Sequence, residues 1–216
     1  MARARPRASG HDLSRAAAPP TIIPALRMEL ERPGARGGDA GYTDLLGKRR
    51  VPKHDPVMEA LGTLDEATSL LGMARRAATQ ERTRRLIQQM QQDLYELMAE
   101  LAFPPAHAQA VRIAAAHVAW LDRSLARVMH SLPPLTKFVL PGASDASAPI
   151  DVARAVVRTA ERRLTQLAHD GTHHNPAGLA YVNRLSLLLF YLARAEDVAA
   201  GVDFDLAGAP AERAEA

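Results

Sequence analysis

No cysteine occurs among the 216 residues, which excludes disulfides, thiol catalysis and thiolate metal sites and is compatible with a reducing cytoplasm, where the protein is expected to reside. Aromatic side chains make up only 4% of the sequence, and strands have little to be made from. Also missing is any apolar run approaching the ~20 residues that span a bilayer, so no membrane partner is expected. The Arg-rich N-terminus lacks the continuous apolar segment of a secretion signal; it reads as a disordered tail, with transit-peptide character as the alternative. Neither sign of charge dominates: 27 Lys and Arg face 24 Asp and Glu, a net +3. Much of that basic excess falls before residue 37, so no coherent surface for nucleic acid is expected.

What the sequence does have is Ala, Leu, Val and other helix formers, enough for one domain with a narrow aliphatic core. The fold expected is all-α, a five-helix up-and-down bundle over residues 34–200, between a tail at 1–33 and a frayed, acidic tail at 201–216. Pro19, Pro20, Pro24 and Pro33 block any long helix in the first tail. The first helix is expected at about 56–76, with Asp55 as N-cap and Pro56 at the first helical position; Val57, Leu61, Leu64 and Leu71 are its inward stripe. The second, at about 81–103, turns Leu86, Met90, Leu94, Leu97 and Leu101 inward and ends at Pro104 and Pro105. The third, at about 109–130, repeats Val111, Ala114, Val118, Leu121, Leu125 and Val128, a bundle seam in which His117 and Trp120 are packing or surface residues. The fourth runs from Asp151 to about 167, and the fifth covers about 177–198 with Val182, Leu185, Leu189 and Leu192 inward.

Three stretches carry chemistry. On the fourth helix Val152, Val156, Ala160 and Leu164 are read as the buried stripe, with Asp151, Arg154, Arg158, Glu161 and Arg162 on the other side. Arg154, Arg158 and Arg162 then stack three guanidinium groups along one row, which repel unless an anion or carboxylates meet them. A solvated face with intrahelical pairs such as Asp151 to Arg154 is the plainer alternative. Glycines at 34, 37, 38, 41 and 47 could turn backbone N–H groups inward as an anion nest, near Lys48, Arg49, Arg50 and Lys53, or form a flexible connector. The connection at 131–149 is longer than neighbouring helices need, and such connections often carry function. His169, His173 and His174 match no common ligand spacing, and no metal site is assigned to them.

Taken in order, GDAGYTDLLGKRRVPKHDP (38–56), ALGTLDEATSLLG (60–72), FVLPGAS (138–144), DVARAVVRTAERRL (151–164) and YVNRLSLLLFYLAR (181–194) resemble the PduO-type ATP:cob(I)alamin adenosyltransferases. The resemblance spans about 36–197. It implies a trimer with active sites between subunits and, as substrates, ATP with Mg²⁺ and cobalamin. It implies that Gly38, Asp39, Gly41, Tyr42, Thr43 and Lys53 surround the phosphates of ATP, which Arg158, Glu161, Arg162 and Asn183 also bind. Asp65 and Arg154 match an intersubunit ion pair, and Phe138 the aromatic residue that helps displace the lower axial ligand of the corrinoid. Departures from the family pattern are Ala35 and Gly37 where hydroxyl-bearing residues are usual, Thr159 where a second arginine is frequent, Ala143, Ala67 and Leu187.

The implied reaction suits this residue inventory. A cobalt(I) corrinoid is itself the nucleophile, so the protein has only to stabilise the departing triphosphate and favour four-coordinate cobalt. Arg158 and Phe138 are the residues expected to carry these two tasks. A cobalamin-dependent enzyme or a reductase is the expected protein partner. Two alternatives stand beside this reading: a non-catalytic corrinoid or nucleotide carrier or sensor, and a helical assembly module.

Overall fold

A computed structural model of the chain describes residues 38–46, 49–103, 112–135 and 138–203. The expectations for 1–37, Gly47, Lys48, Pro104, Pro105, 109–111 and most of 201–216 fall outside these residues. Five helices form the body: α1 Pro56–Ala77, α2 Glu81–Ala102, α3 Ala115–His130, α4 Ala148–His169 and α5 Pro176–Ala199. α1 packs between α2 and α4, α4 also lies against α5, and α5 carries α3 on its other flank. Their inward faces merge into one core that includes Leu64, Leu71, Met90, Leu94, Leu121, Val157, Leu185 and Leu189.

The five helices bear out the all-α bundle, and only the expectation of no strands needs correction. A short antiparallel hairpin, β1 Tyr42–Leu45 and β2 Arg49–Pro52, precedes α1, with Thr43 opposite Val51 and Leu45 opposite Arg49. Alternation explains it: Leu45 and Val51 are buried against the bundle while Tyr42, Asp44 and Arg50 face out. On that outer face Arg50 lies over the Tyr42 ring and 3.3 Å from Asp44.

The helix starts follow local chemistry. Asp55 caps α1 as expected, accepting the Val57 N–H at 2.8 Å. α3 begins later than its apolar pattern suggests. Residues 112–114 are not helical, and His117 folds back so that its Nδ1 accepts the Ala114 N–H at 3.1 Å. Ala114 is therefore exposed at the cap instead of lying on the seam. α4 begins earlier, because Ser144 and Ser147 each accept the other's backbone N–H, at 3.1 and 3.0 Å, and Pro149 suits the first turn.

α4 is also rotated relative to the expected stripe. Its buried line is Ile150, Ala153, Val157, Ala160, Leu164 and Leu167; Val152 is exposed and Asp151 is buried. Small alanines at 153 and 160 let α1 and α5 approach closely, and a pattern weighted towards bulky residues misses that. α5 has the length and hydropathy of a membrane-crossing helix, but half of its most apolar window is buried inside the bundle.

Charged residues are unexpectedly numerous inside. Arg194, Glu196 and Asp197 on α5 are fully buried, as are most of Asp93, Glu96 and Glu100 on α2 and Asp151 on α4. Glu196 accepts the Thr79 N–H at 2.7 Å and the Gln80 N–H at 3.2 Å, supplying α2 with the N-terminal acceptor its own cap residue lacks. Tyr181 donates to Asp93 at 2.8 Å, and the Nε2 of His117 lies 3.3 Å from Glu96. Burial pushes both Asp93 and Glu96 above the ordinary carboxylate range.

Glu100 behaves oppositely. It accepts the Ile113 N–H at 2.9 Å and the Asn175 amide at 2.8 Å, and His173 Nε2 sits 3.2 Å away. Burial alone would raise its pKa, but the His173 ring, the Ile113 N–H and Asn175 outweigh burial and hold it below the ordinary 4.5. A depressed pKa means that the unfolded chain takes up this proton first. The stabilisation is complete above the ordinary value and is lost as pH falls through the folded one. Glu100→Gln is accordingly expected to cost about 1–3 kcal/mol near neutrality and to flatten the acid limb of a Tm-against-pH profile. An unchanged acid limb would refute this.

Candidate functional site

With the buried line of α4 fixed, its other residues sort themselves. Arg158 and Arg162 are exposed, while Arg154 is half-buried with Nε 3.6 Å from Asp151 Oδ1. Arg162 is folded along its own helix, donating to the Arg158 carbonyl at 3.1 Å and to Thr159 Oγ1 at 3.0 Å. Among the described residues the Arg158 guanidinium has no hydrogen-bond or ion-pair partner within the chain, so it remains available to an external anion. Glu161 reaches α5 instead, its Oε1 accepting from Asn183 Nδ2 at 2.8 Å. Four of the sequence-predicted residues, Arg158, Glu161, Arg162 and Asn183, are thus drawn to the outside of the α4–α5 pair.

The hairpin organises a second group. Gly41 adopts φ +80°, a left-handed conformation that favours glycine, and its N–H donates to the Gly38 carbonyl at 3.2 Å. The Gly41 carbonyl accepts the Lys53 N–H at 2.8 Å, tying the turn to the residue after β2. Lys53 also lies so close to Gly38 that a Cβ there would stand 3.2 Å from its Nζ. Asp39 and Tyr42 are exposed beside this turn, whereas Thr43 is half-buried on the bundle side of the hairpin. The cation and the glycine turn expected to act together are therefore adjacent. Among the described residues, no hydrogen bond or ion pair connects this group to Arg158.

Asp65 is exposed on α1 and has no ion-pair partner within the chain among the described residues. The pair expected between Asp65 and Arg154 is not made inside one subunit. Phe138 is 87% exposed, and Leu140 two residues later is 48% exposed. The same connection turns at Gly142, φ +90°, before entering α4. A groove of about 420 Å³ lies elsewhere, lined by Glu81, Arg82, Arg85, Leu86, Ser124 and Arg127, and includes none of these residues.

Sequence reasoning missed the interior charges that reach this turn. Asp151 Oδ2 accepts the Gly142 N–H at 3.1 Å, and Asp197 Oδ1 accepts from Ser144 Oγ at 2.7 Å. The signal was present as Arg194 and Asp197, three residues apart and following the apolar run Leu187–Leu192. As for metals, His173 is engaged at Glu100, and no group of three or more metal-ligating side chains gathers among the described residues.

Comparison with known proteins supplies the remaining observations. A family model described as cobalamin adenosyltransferase matches residues 34–196. The corrinoid adenosyltransferase PduO of Salmonella typhimurium is 40% identical over 165 residues, covering 75% of this chain and 48% of that protein. The chain thus spans about half the length of that relative. A corrinoid adenosyltransferase of Citrobacter freundii is 38% identical over 164 residues, 75% of this chain and 93% of the relative. Among solved structures, a variant PduO-type ATP:corrinoid adenosyltransferase from Lactobacillus reuteri, complexed with cobalamin and ATP, superposes with a TM-score of 0.73. It is 27% identical, and the match covers 81% of this chain and 95% of that one.

Proposed function

We propose, from the premise that this chain belongs to the cobalamin adenosyltransferase family, that it transfers the 5′-deoxyadenosyl group of ATP to cobalt(I) of cobalamin in the cytoplasm. The cobalt(I) lone pair attacks C5′, a Co–C bond forms, the C5′–O bond breaks, and its electron pair leaves with triphosphate. Cobalt ends formally as Co(III), and the products are adenosylcobalamin and triphosphate. The nucleophile belongs to the corrinoid, so the protein supplies placement and charge.

The observation that carries this reading is the exposed Arg158, unpartnered among the described residues and set beside the Glu161–Asn183 bond on the outside of α4 and α5. Charge accumulates on the leaving triphosphate, and a fixed cation placed there stabilises the transition state more than the ground state. Lys53 and the backbone around Gly38 and Gly41 form the second anion-binding element, and Mg²⁺ enters with ATP as part of the substrate. Phe138 offers an uncovered ring to the corrin and favours loss of the lower axial ligand.

Completion of the site falls to neighbouring copies, so the working form is a homotrimer. The exposed Asp65 supports this, since it is left for a partner subunit's arginine, and so does exposed Val152 beside the half-buried Arg154. A cobalamin-dependent enzyme or a reductase is the partner that would take the product or supply the electron.

The test is direct. Purified protein, ATP, Mg²⁺ and chemically reduced cobalamin are mixed anaerobically, and the visible spectrum is followed. Loss of the Co(I) bands with growth of the alkylcobalamin spectrum is expected. A perturbed spectrum without conversion would instead identify a carrier or sensor, and no change at all would refute corrinoid binding.

A further inference from the structure

A fully buried arginine needs a reason. Arg194 is 0% exposed, and its Nη2 and Nε donate to Asp151 Oδ2 and Asp197 Oδ2, each at 2.8 Å. Both carboxylates are themselves buried, at 4% and 0% exposure. Replacing such a cluster by apolar side chains often leaves stability unchanged or improved, so its presence here calls for a role in placement. The Arg194 guanidinium does not satisfy every oxygen of two buried carboxylates; Arg154 Nε stands 3.6 Å from Asp151 Oδ1, and the oxygens that remain require further donors.

Those donors come from one place. Asp151 Oδ2 accepts the Gly142 N–H at 3.1 Å, and Asp197 Oδ1 accepts the Ser144 hydroxyl at 2.7 Å. Two points of the turn, separated by a single residue, are thereby fastened to a charge cluster shared between α4 and α5. Phe138 stands four residues upstream with its ring outside the core, and Leu140 between them is also exposed. Val139, half-buried and in a β-bridge, holds the segment upstream, and its downstream course is set by where the chain is anchored at Gly142 and Ser144.

We infer that Arg194, Asp151 and Asp197 are positioning residues for the corrinoid side of the site: through the Gly142 amide and the Ser144 hydroxyl they hold the 138–144 segment so that Phe138 meets the corrin at the right height. The inference rests on the adenosyltransferase reading. It assigns to the interior of the bundle a part in the cobalt chemistry that no contact with substrate would reveal. Displacement of a reacting arrangement by about 1 Å can cost on the order of 100-fold in rate, so a loosened anchor has measurable consequences.

Ser144→Ala removes the tether to Asp197, and with it the acceptor of the Ser147 N–H at the start of α4, with minimal change of volume; Ser144→Thr retains the hydroxyl for both. Two measurements are made on parent and variants. In the first, hydrogen exchange by mass spectrometry is expected to rise several-fold at 138–144 in Ser144→Ala and to stay at parental values in α5 and in Ser144→Thr. In the second, Ser144→Ala is expected to hold KM for ATP within about 2-fold while kcat falls about 10-fold. The four-coordinate Co(II) signal with ATP bound should fall alongside kcat, and Ser144→Thr should restore both. Parental exchange at 138–144 in Ser144→Ala, or a parental kcat and Co(II) spectrum, would overturn the inference. If the parent makes no adenosylcobalamin while Ser144→Ala still loosens the segment, the tether stands and the adenosyltransferase reading falls.

Discussion

Arg158→Ala is expected to lower kcat/KM for ATP by about 100- to 1000-fold, the range seen when a single fixed group that stabilises transition-state charge is deleted. Its guanidinium has no partner within the chain among the described residues, so nothing in the bundle is disturbed by its loss, and Tm should stay within about 2 °C of the parent. Arg158→Lys should recover only part of the activity, because a compact ammonium cannot form the two parallel bonds of a guanidinium. Arg162→Ala provides the comparison. That side chain already donates to the Arg158 carbonyl and to Thr159 Oγ1, so its removal should have a smaller effect on ATP use. Steady-state kinetics with ATP varied at saturating Co(I) cobalamin measures both, and equal losses in the two variants would sink the assignment.

Phe138→Ala is the second large effect, and it should separate cleanly from the first. A ring 87% exposed contributes little to folding, and its removal should leave both Tm and ATP affinity near parental values. Covering a phenyl side chain is worth about 1.5–3 kcal/mol, which corresponds to roughly 10- to 100-fold in whatever step depends on the covered state. On the proposed reading that step is formation of four-coordinate Co(II), since an apolar group in the lower axial region would disfavour a coordinated base or water. The variant should therefore lose most of the four-coordinate Co(II) spectrum and most turnover beginning from Co(II), while retaining more activity with Co(I) supplied directly. Parental Co(II) spectra would remove Phe138 from the mechanism.

How far such assignments can be read from residues alone depends on the kind of signal. The helices were legible wherever a cap or proline punctuated a long periodic segment, as at Asp55 and Pro56 or at Pro176. The hairpin was not, because each strand has only four residues and the glycines around them read as a loop. α4 was placed but misphased: Val152 has the bulk of a core residue, yet Ala153 and Ala160 occupy the core line. Spacing against the Val152 stripe puts Asp151 outward; its partner Arg194 lies 43 residues away, a separation that no local pattern can bridge. For the site, the motifs name Glu161 and Asn183 as separate ATP contacts, whereas their bond to each other and the inward wiring of Gly142 and Ser144 needed the fold.

Glu196 has a consequence for how the polypeptide comes off the ribosome. The amides at the start of α2, made by residues 79 and 80, find their acceptor only after 117 further positions have been translated. Until then the corner between the first two helices must rely on water, and it should stay open to proteases in stalled nascent chains ending before residue 196. Closure of that corner is thus postponed to α5, a long-range dependence that slows folding and makes the final turns of that helix more consequential than their place late in the sequence suggests.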